Sequence, residues 1–189
     1  MPTACIDRGF IGYLAHPCLS GELPAIPITE ALTGKTIREL HGHTGGTSSV
    51  AWSPDGTQLA SASADQTVRV WDFQTGETVT IFAGHTALVF DVSWSPDGTR
   101  LVSGDTAGNV RIWEAASGQE VNHYNVGGSV IVLKWSPDGT RVLVTGIFRA
   151  PEIRPVWQST EDLIAYAKEC CVFRALTDEE RELFGLSAR

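Results

Sequence analysis

The sequence predicts an all-β fold: an open array of about three four-stranded antiparallel units, followed by two short C-terminal helices. Three observations carry that expectation. The hexapeptide WSPDGT occurs at Trp52–Thr57, Trp94–Thr99 and Trp135–Thr140, with starts 42 and 41 residues apart. Sliding the chain by 42 lays Gly42–Trp71 over Gly84–Trp113, with fifteen of thirty positions identical. Between these landmarks, short runs rich in β-branched and aromatic residues alternate with turn residues, the pattern of strands in a meander.

The first copy offers four such runs, SSVAWSP, QLASAS, TVRVWD and ETVTIF, and the second offers LVFDVSWSP, RLVSG, NVRIWE and EVNHY. WSPDGT itself is turn chemistry. Pro54 presets φ at the second turn position, Asp55 tolerates the bridge region, and Gly56 can take φ > 0. Trp52 therefore ends one strand and Gln58 begins its antiparallel partner. The second turns are SADQT and DTAGN. The third turns carry Gly76 and Gly118, which fall in register with Gly34.

The third copy is worn. Val126 stands where His43 and His85 stand, and Pro151 and Pro155 restrict the segment after it to an edge strand, because proline donates nothing to a ladder. Trp157 falls three residues away from the register of Trp71 and Trp113. At the front, PITEALTGKTIREL matches the end of a repeat, with Thr29 in the place of Trp71. The domain reading is an irregular arm over 1–25, repeat units over 26–157 (about 35–76, 77–118 and a degenerate 119–157), and a helical tail over 158–189. In the tail, Ser159 with Asp162 approximates a capping box, and Thr177 with Glu180 forms one ahead of Gly185.

A period of about 42 with Gly42-His43 … Trp71-Asp72, then Gly84-His85 … Trp113-Glu114, resembles the WD40 repeat. The resemblance implies a β-propeller whose blades are the four-stranded units. It also implies a hydrogen-bonded set in each blade: His43, Ser61, Asp65 and Trp71 in the first, and His85, Ser103 and Trp113 in the second. The Asp position of the second copy is Ala107, with Asp105 two residues earlier, so the second blade is expected to be less tightly tied. The tail resembles those that close bacterial WD-repeat proteins, many of which carry a signalling NTPase module upstream. No GxxxxGK[ST] occurs here.

Composition narrows the function. The chain has 189 residues, 42% hydrophobic and 19% charged, with a net charge of −8. An acidic chain without a run of Lys and Arg argues against nucleic acid as a partner. No apolar run approaches the roughly 20 residues of a membrane helix. The N-terminus lacks a charged region and an unbroken apolar core, so the expected location is cytoplasmic. Cys5, Cys18, Cys170 and Cys171 lack metal-ligand spacing and read as reduced structural thiols. His41 and His43 would share a strand face, but the repeat already claims His43 and no Cys lies near them, so neither metal nor cofactor is expected.

Histidine, serine and aspartate together also evoke a hydrolase triad, but the repeat accounts for all three, and there is no Gly-x-Ser-x-Gly elbow. The expected role is a non-catalytic scaffold for protein partners. Its candidate binding loops are Gly45, Gly46, Thr47 and Ser48, then Ala87, Leu88 and Val89, with Ala64–Gln66 and Thr106–Gly108 beside them. The alternatives are the regulatory or sensor end of a signalling NTPase, and a hydrolase. Three blades do not close a ring, so the chain is expected to self-associate, to complete a partner's propeller, or to be the C-terminal fragment of a longer one. The fragment reading ranks first, since both ends look like repeats cut short.

Overall fold

A computed structural model describes residues 25–147 and 150–156. The chain divides into two compact units, Met1–Arg154 and Pro155–Arg189. The account below concerns the first. The expected N-terminal arm up to residue 24, the four cysteines, Trp157 and the two C-terminal helices lie outside the described residues.

The first sheet contains β3 (Thr47–Trp52), β4 (Gln58–Ser63), β5 (Thr67–Asp72) and β6 (Thr78–Ala83), hydrogen-bonded in chain order. The second repeats it with β7 (Val89–Trp94), β8 (Arg100–Asp105), β9 (Asn109–Glu114) and β10 (Glu120–Asn125). At either end of these two, the sheets have fewer strands among the described residues. Before them, β1 (Ile26–Thr29) and β2 (Thr36–Leu40) form a two-stranded sheet. After them, β11 (Val130–Trp135), β12 (Arg141–Gly146) and β13 (Glu152–Pro155) form a three-stranded one. Among the described residues the architecture is an open all-β array of antiparallel sheets. The proline-bearing β13 lies at the edge of its sheet, where a missing N–H is harmless.

The sheets are phased one strand later than the sequence intervals 35–76 and 77–118. The opening strand of the first interval, β2, pairs with β1, and the opening strand of the second, β6, pairs with β5. Each sequence repeat thus lends a strand to the sheet before it, and the covalent chain stitches neighbouring sheets together.

The WSPDGT turns close in the same way three times. Ser53 Oγ donates to Asp55 Oδ1 at 2.6 Å, Thr57 N donates to the same oxygen at 3.0 Å, and Gly56 takes φ 71°. Hydrogen bonds from Ser53 and Thr57 hold the Asp55 carboxyl below its ordinary range. A bulge sits in the first strand of each complete sheet and of the third, at Thr47/Ser49, Val89/Asp91 and Val130/Val132. It lets Ser49 Oγ donate to Asp91 Oδ1 at 2.6 Å, while Asp91 Oδ2 accepts from Leu133 N at 2.8 Å. One buried carboxylate therefore pins three successive sheets, and nothing in the repeat pattern marks it.

Apolar packing fills the seam between the two complete sheets. Ala60, Ala62, Val68, Val70 and Phe82 of the first pack with Val89, Val92, Trp94, Leu101 and Trp113 of the second. The small residues of β4 and β8 set the spacing. A Cβ on Gly104 would lie 2.5 Å from Val130 Cγ1 and 2.9 Å from Leu133 Cδ1. Gly104→Ala is therefore expected to lower stability by about 1–3 kcal/mol through overpacking, read as a lower urea midpoint.

Candidate functional site

Each complete sheet contains a buried polar chain that links its second and third strands to the loop before it. In the first, Trp71 Nε1 donates to Ser61 Oγ at 2.8 Å, and Ser61 Oγ lies 2.8 Å from His43 Nε2. His43 Nδ1 lies 2.8 Å from Asp65 Oδ2. Burial favours the neutral imidazole, and that sets the direction: the Ser61 O–H donates to Nε2, and Nδ1–H donates to the carboxylate. A neutral imidazole satisfies every link. Asp65 takes further bonds from Thr44 N at 2.9 Å, Thr67 N at 3.0 Å and Thr67 Oγ1 at 2.6 Å.

The Gly-His dipeptide has a steric cause. A Cβ on Gly84 would lie 2.7 Å from the Trp113 ring, and one on Gly42 would lie 3.2 Å from Trp71. Glycine lets the indole lie against the backbone, and the next residue then drops its imidazole between ring and carboxylate. The rings meet at centroid distances of 5.9 Å for His43–Trp71 and 6.0 Å for His85–Trp113.

The second sheet closes the same chain by a different route. Trp113 Nε1 donates to Ser103 Oγ at 2.7 Å, and Ser103 Oγ lies 2.7 Å from His85 Nε2. Asp105, not a residue at the register of Asp65, meets His85 Nδ1 at 2.8 Å. It sits at the end of β8, where the first sheet has Ser63, and reaches forward to accept from Ala107 N at 3.0 Å and Asn109 N at 2.9 Å. Asn109 Nδ2 adds a bond at 2.8 Å. The expected loosening of the second blade is corrected: its His–Asp side chains are 0%/0% exposed, against 1%/7% in the first. Asp followed four residues later by Asn was the signal in the sequence, but the 42-residue register pointed to Ala107 instead.

The electrostatics agree with a neutral histidine between an indole-capped serine and a charged carboxylate. Burial lowers His43 and His85 below 6.5, against the upward pull of Asp65 and Asp105. Burial alone would raise Asp65, but hydrogen bonds from Thr67, Thr44 and His43 outweigh it and hold the group at about 2. Asp105 is likewise lowered, as bonds from Asn109 and His85 overcome its desolvation.

The geometry is that of a Ser–His–Asp triad, but its chemistry is closed. Ser61 and Ser103 are each 0% exposed, and each hydroxyl oxygen already accepts an indole N–H, so no substrate carbonyl can approach. Among the described residues, no three His, Cys, Asp or Glu side chains cluster as metal ligands would.

Antiparallel order puts the loops between sheets and the turns between second and third strands at one end of the array. There Ala64 N donates to Gly46 O at 2.9 Å, Thr106 N to Leu88 O at 3.0 Å, and Val126 N to Gly108 O at 2.9 Å. Of the expected binding residues, Gly46 and Ser48 are exposed, and Gly45, Thr47, Ala87 and Leu88 are partly buried. Ser48 Oγ donates to Val89 O at 2.5 Å, so it also ties the sheets together. Val89 is 0% exposed and belongs to the core, so it offers no binding surface. Ala107, in the Thr106–Gly108 turn, is exposed as well, and so are Thr44 and Thr86, which the sequence analysis did not name.

Comparison with known proteins agrees with this geometry. The model of the WD domain, G-beta repeat, matches residues 34–72 and 76–114. WD repeat-containing protein 1 of Gallus gallus is 44% identical over 48 residues, which is 24% of this chain and 8% of that protein. The WD repeat-containing protein 26 homolog of Arabidopsis thaliana is 45% identical over 64 residues, 33% of this chain and 11% of that protein. THO complex subunit 3 of Arabidopsis thaliana is 51% identical over 37 residues, 20% of this chain and 12% of that protein. These matches thus span only a small part of each relative's length. The structure of U3-55K superposes with a TM-score of 0.60 at 25% identity, covering 62% of this chain and 38% of that one.

Asp105→Ala should destabilise at least as much as Asp65→Ala, about 3–5 kcal/mol for a partnered buried charge, in parallel urea titrations. Trp71→Ala should cost a similar ~3–5 kcal/mol. Because the folded histidines bind protons less readily than unfolded ones, the unfolded state holds more protons below 6.5. Stability should fall as pH drops below 6.5, and a further loss should follow below 3.8 as Asp65 protonates toward its folded value of about 2. His43→Gln with His85→Gln should flatten the upper limb of that titration.

Proposed function

Starting from two WD40 repeats in tandem at 34–72 and 76–114, we propose that the chain is a non-catalytic scaffold for protein–protein interaction. Its binding surface is the array end that carries the His43 and His85 loops. The observation that carries this reading is the closed polar chain beneath that end. It engages His43, Ser61 and Trp71 with one another in the buried interior and ties the loops to the strands beneath them.

Gln66 points the same way. It takes φ 70° where the second sheet has Gly108 at φ 87°. A left-handed non-glycine residue costs roughly 1–2 kcal/mol, and here the side chain it carries is exposed at the binding end. WD-repeat relatives that include a named complex subunit support a role in assemblies. The end sheets show two and three strands among the described residues, which fits a cytoplasmic chain whose propeller takes further blades from outside these residues. A sensor role beside a signalling NTPase would use the same surface.

Affinity capture with the wild type, Gln66→Arg and Gln74→Arg tests the reading. Gln74 is exposed at the opposite end, in the β5–β6 turn. A defined partner should be held by the wild type and Gln74→Arg and lost, by at least about tenfold, from Gln66→Arg. Equal capture by all three, or by none, would overturn it.

A further inference from the structure

The seams between sheets repeat as closely as the sheets do. On β7, Val92 and Trp94 press on the first sheet and are 1% and 7% exposed. On β11 the same places hold Leu133, 0% exposed, and Trp135. Trp94 Nε1 donates across the seam to Ala51 O at 3.1 Å, and Trp135 Nε1 to Ser93 O at 3.2 Å. The two corresponding positions on β3 are Val50 and Trp52, which are 53% and 50% exposed. Among the described residues Trp52 meets only an edge-on Phe73, at 4.8 Å, and no carbonyl receives its indole N–H.

The sheet of β1 and β2 covers only the outer half of that face, where Ile26, Ile28 and Leu40 pack with Leu59, Trp71 and Phe73. Among the described residues nothing covers the inner half, in front of β3. At the far end of the array the complementary half-seam is open too. Asp91, Ser93, Val102 and Gly104 are buried on the second sheet, but on the third their counterparts Val132, Leu143 and Thr145 are only partly buried, and Lys134 is exposed. Among the described residues, then, both halves of a contact that the chain makes twice internally are left uncovered.

We propose that the Val50–Trp52 face seats the β11–β12 face of a second copy of this chain, head to tail. The Trp52 indole N–H donates to the main-chain carbonyl of Lys134, which holds in β11 the place of Ala51 and Ser93. Val50 stands over Thr145 as Leu133 stands over Gly104, with the smaller seam residue facing the larger floor. β1 and β13 fall at the same rank in the completed sheet. Each is four residues long and contains a proline, so one gives way at small cost. Such a contact is heterologous, so copies add until the rotation closes. The proposal does not rest on the loop surface, which lies at one end of the array and not on its flank.

Light scattering after size exclusion, over a range of concentrations, tests it. The wild type should rise above 20.4 kDa as concentration increases, at least doubling in mass. Val50→Asp should weaken association by at least about tenfold, since it places a charge in a dry seam. Val79→Asp, on the 51% exposed outer strand, should leave association intact. Trp52→Phe keeps the ring and removes the donor, and serves if Val50→Asp fails to fold. It should also weaken association, and the difference spectrum should show Trp52 emission moving to shorter wavelength as the wild type associates. A wild type of 20.4 kDa throughout would overturn the proposal, as would association that Val50→Asp and Trp52→Phe leave unchanged, or that Val79→Asp abolishes equally.

Discussion

The hydroxyl of Ser61, and its counterpart on Ser103, is the point through which each sheet is tied. It accepts from an indole on the third strand and donates to an imidazole in the loop that precedes the first. The histidine then reaches the turn between second and third strands through a carboxylate. Four segments that could otherwise slide are locked by one proton arrangement. Burial favours the neutral imidazole, which accepts from the serine and donates to the carboxylate, so each link is satisfied. Fully paired burial is what turns a costly polar core into a specific one.

That closure also separates this arrangement from an enzyme that it resembles atom for atom. Catalysis needs a nucleophile with an unoccupied lone pair and a path for substrate. Here the lone pair is filled by an indole and the path by packed side chains. The difference lies in Trp71 and Trp113, residues that no triad contains, and it could not have been judged from His, Ser and Asp alone.

Much of the fold was legible because the repeat speaks twice. Every strand of the two complete sheets follows from runs bounded by Pro54-Asp55-Gly56 and its copies, and the histidine, serine and tryptophan of each set follow from the 42-residue register. What could not be read arises from contacts that break the register. Asp105 does the work of Asp65 from a place two residues earlier, because Asn109 supplies the donors that Thr67 supplies in the first sheet. Asp91 pins three sheets, but only a bulge in β7 aims it there, and bulges leave no mark in a hydrophobic pattern. Val89 reads as a loop residue at the edge of an apolar run, and only packing reveals it as core.

The phase offset between sequence repeat and sheet has a consequence for how such a chain can change length. Each repeat gives its first strand to the sheet before it, so a break at a sheet boundary and a break at a sequence boundary are not the same event. An in-frame duplication or loss of 42 consecutive codons restores the strand order wherever its breakpoints fall, because the segment removed or added always contains one strand of every rank. The array can grow or shrink by whole sheets through ordinary unequal recombination, with every ladder intact on either side of the join. The near-identity of WSPDGT and its flanks at the level of protein is the condition that makes such recombination structurally silent.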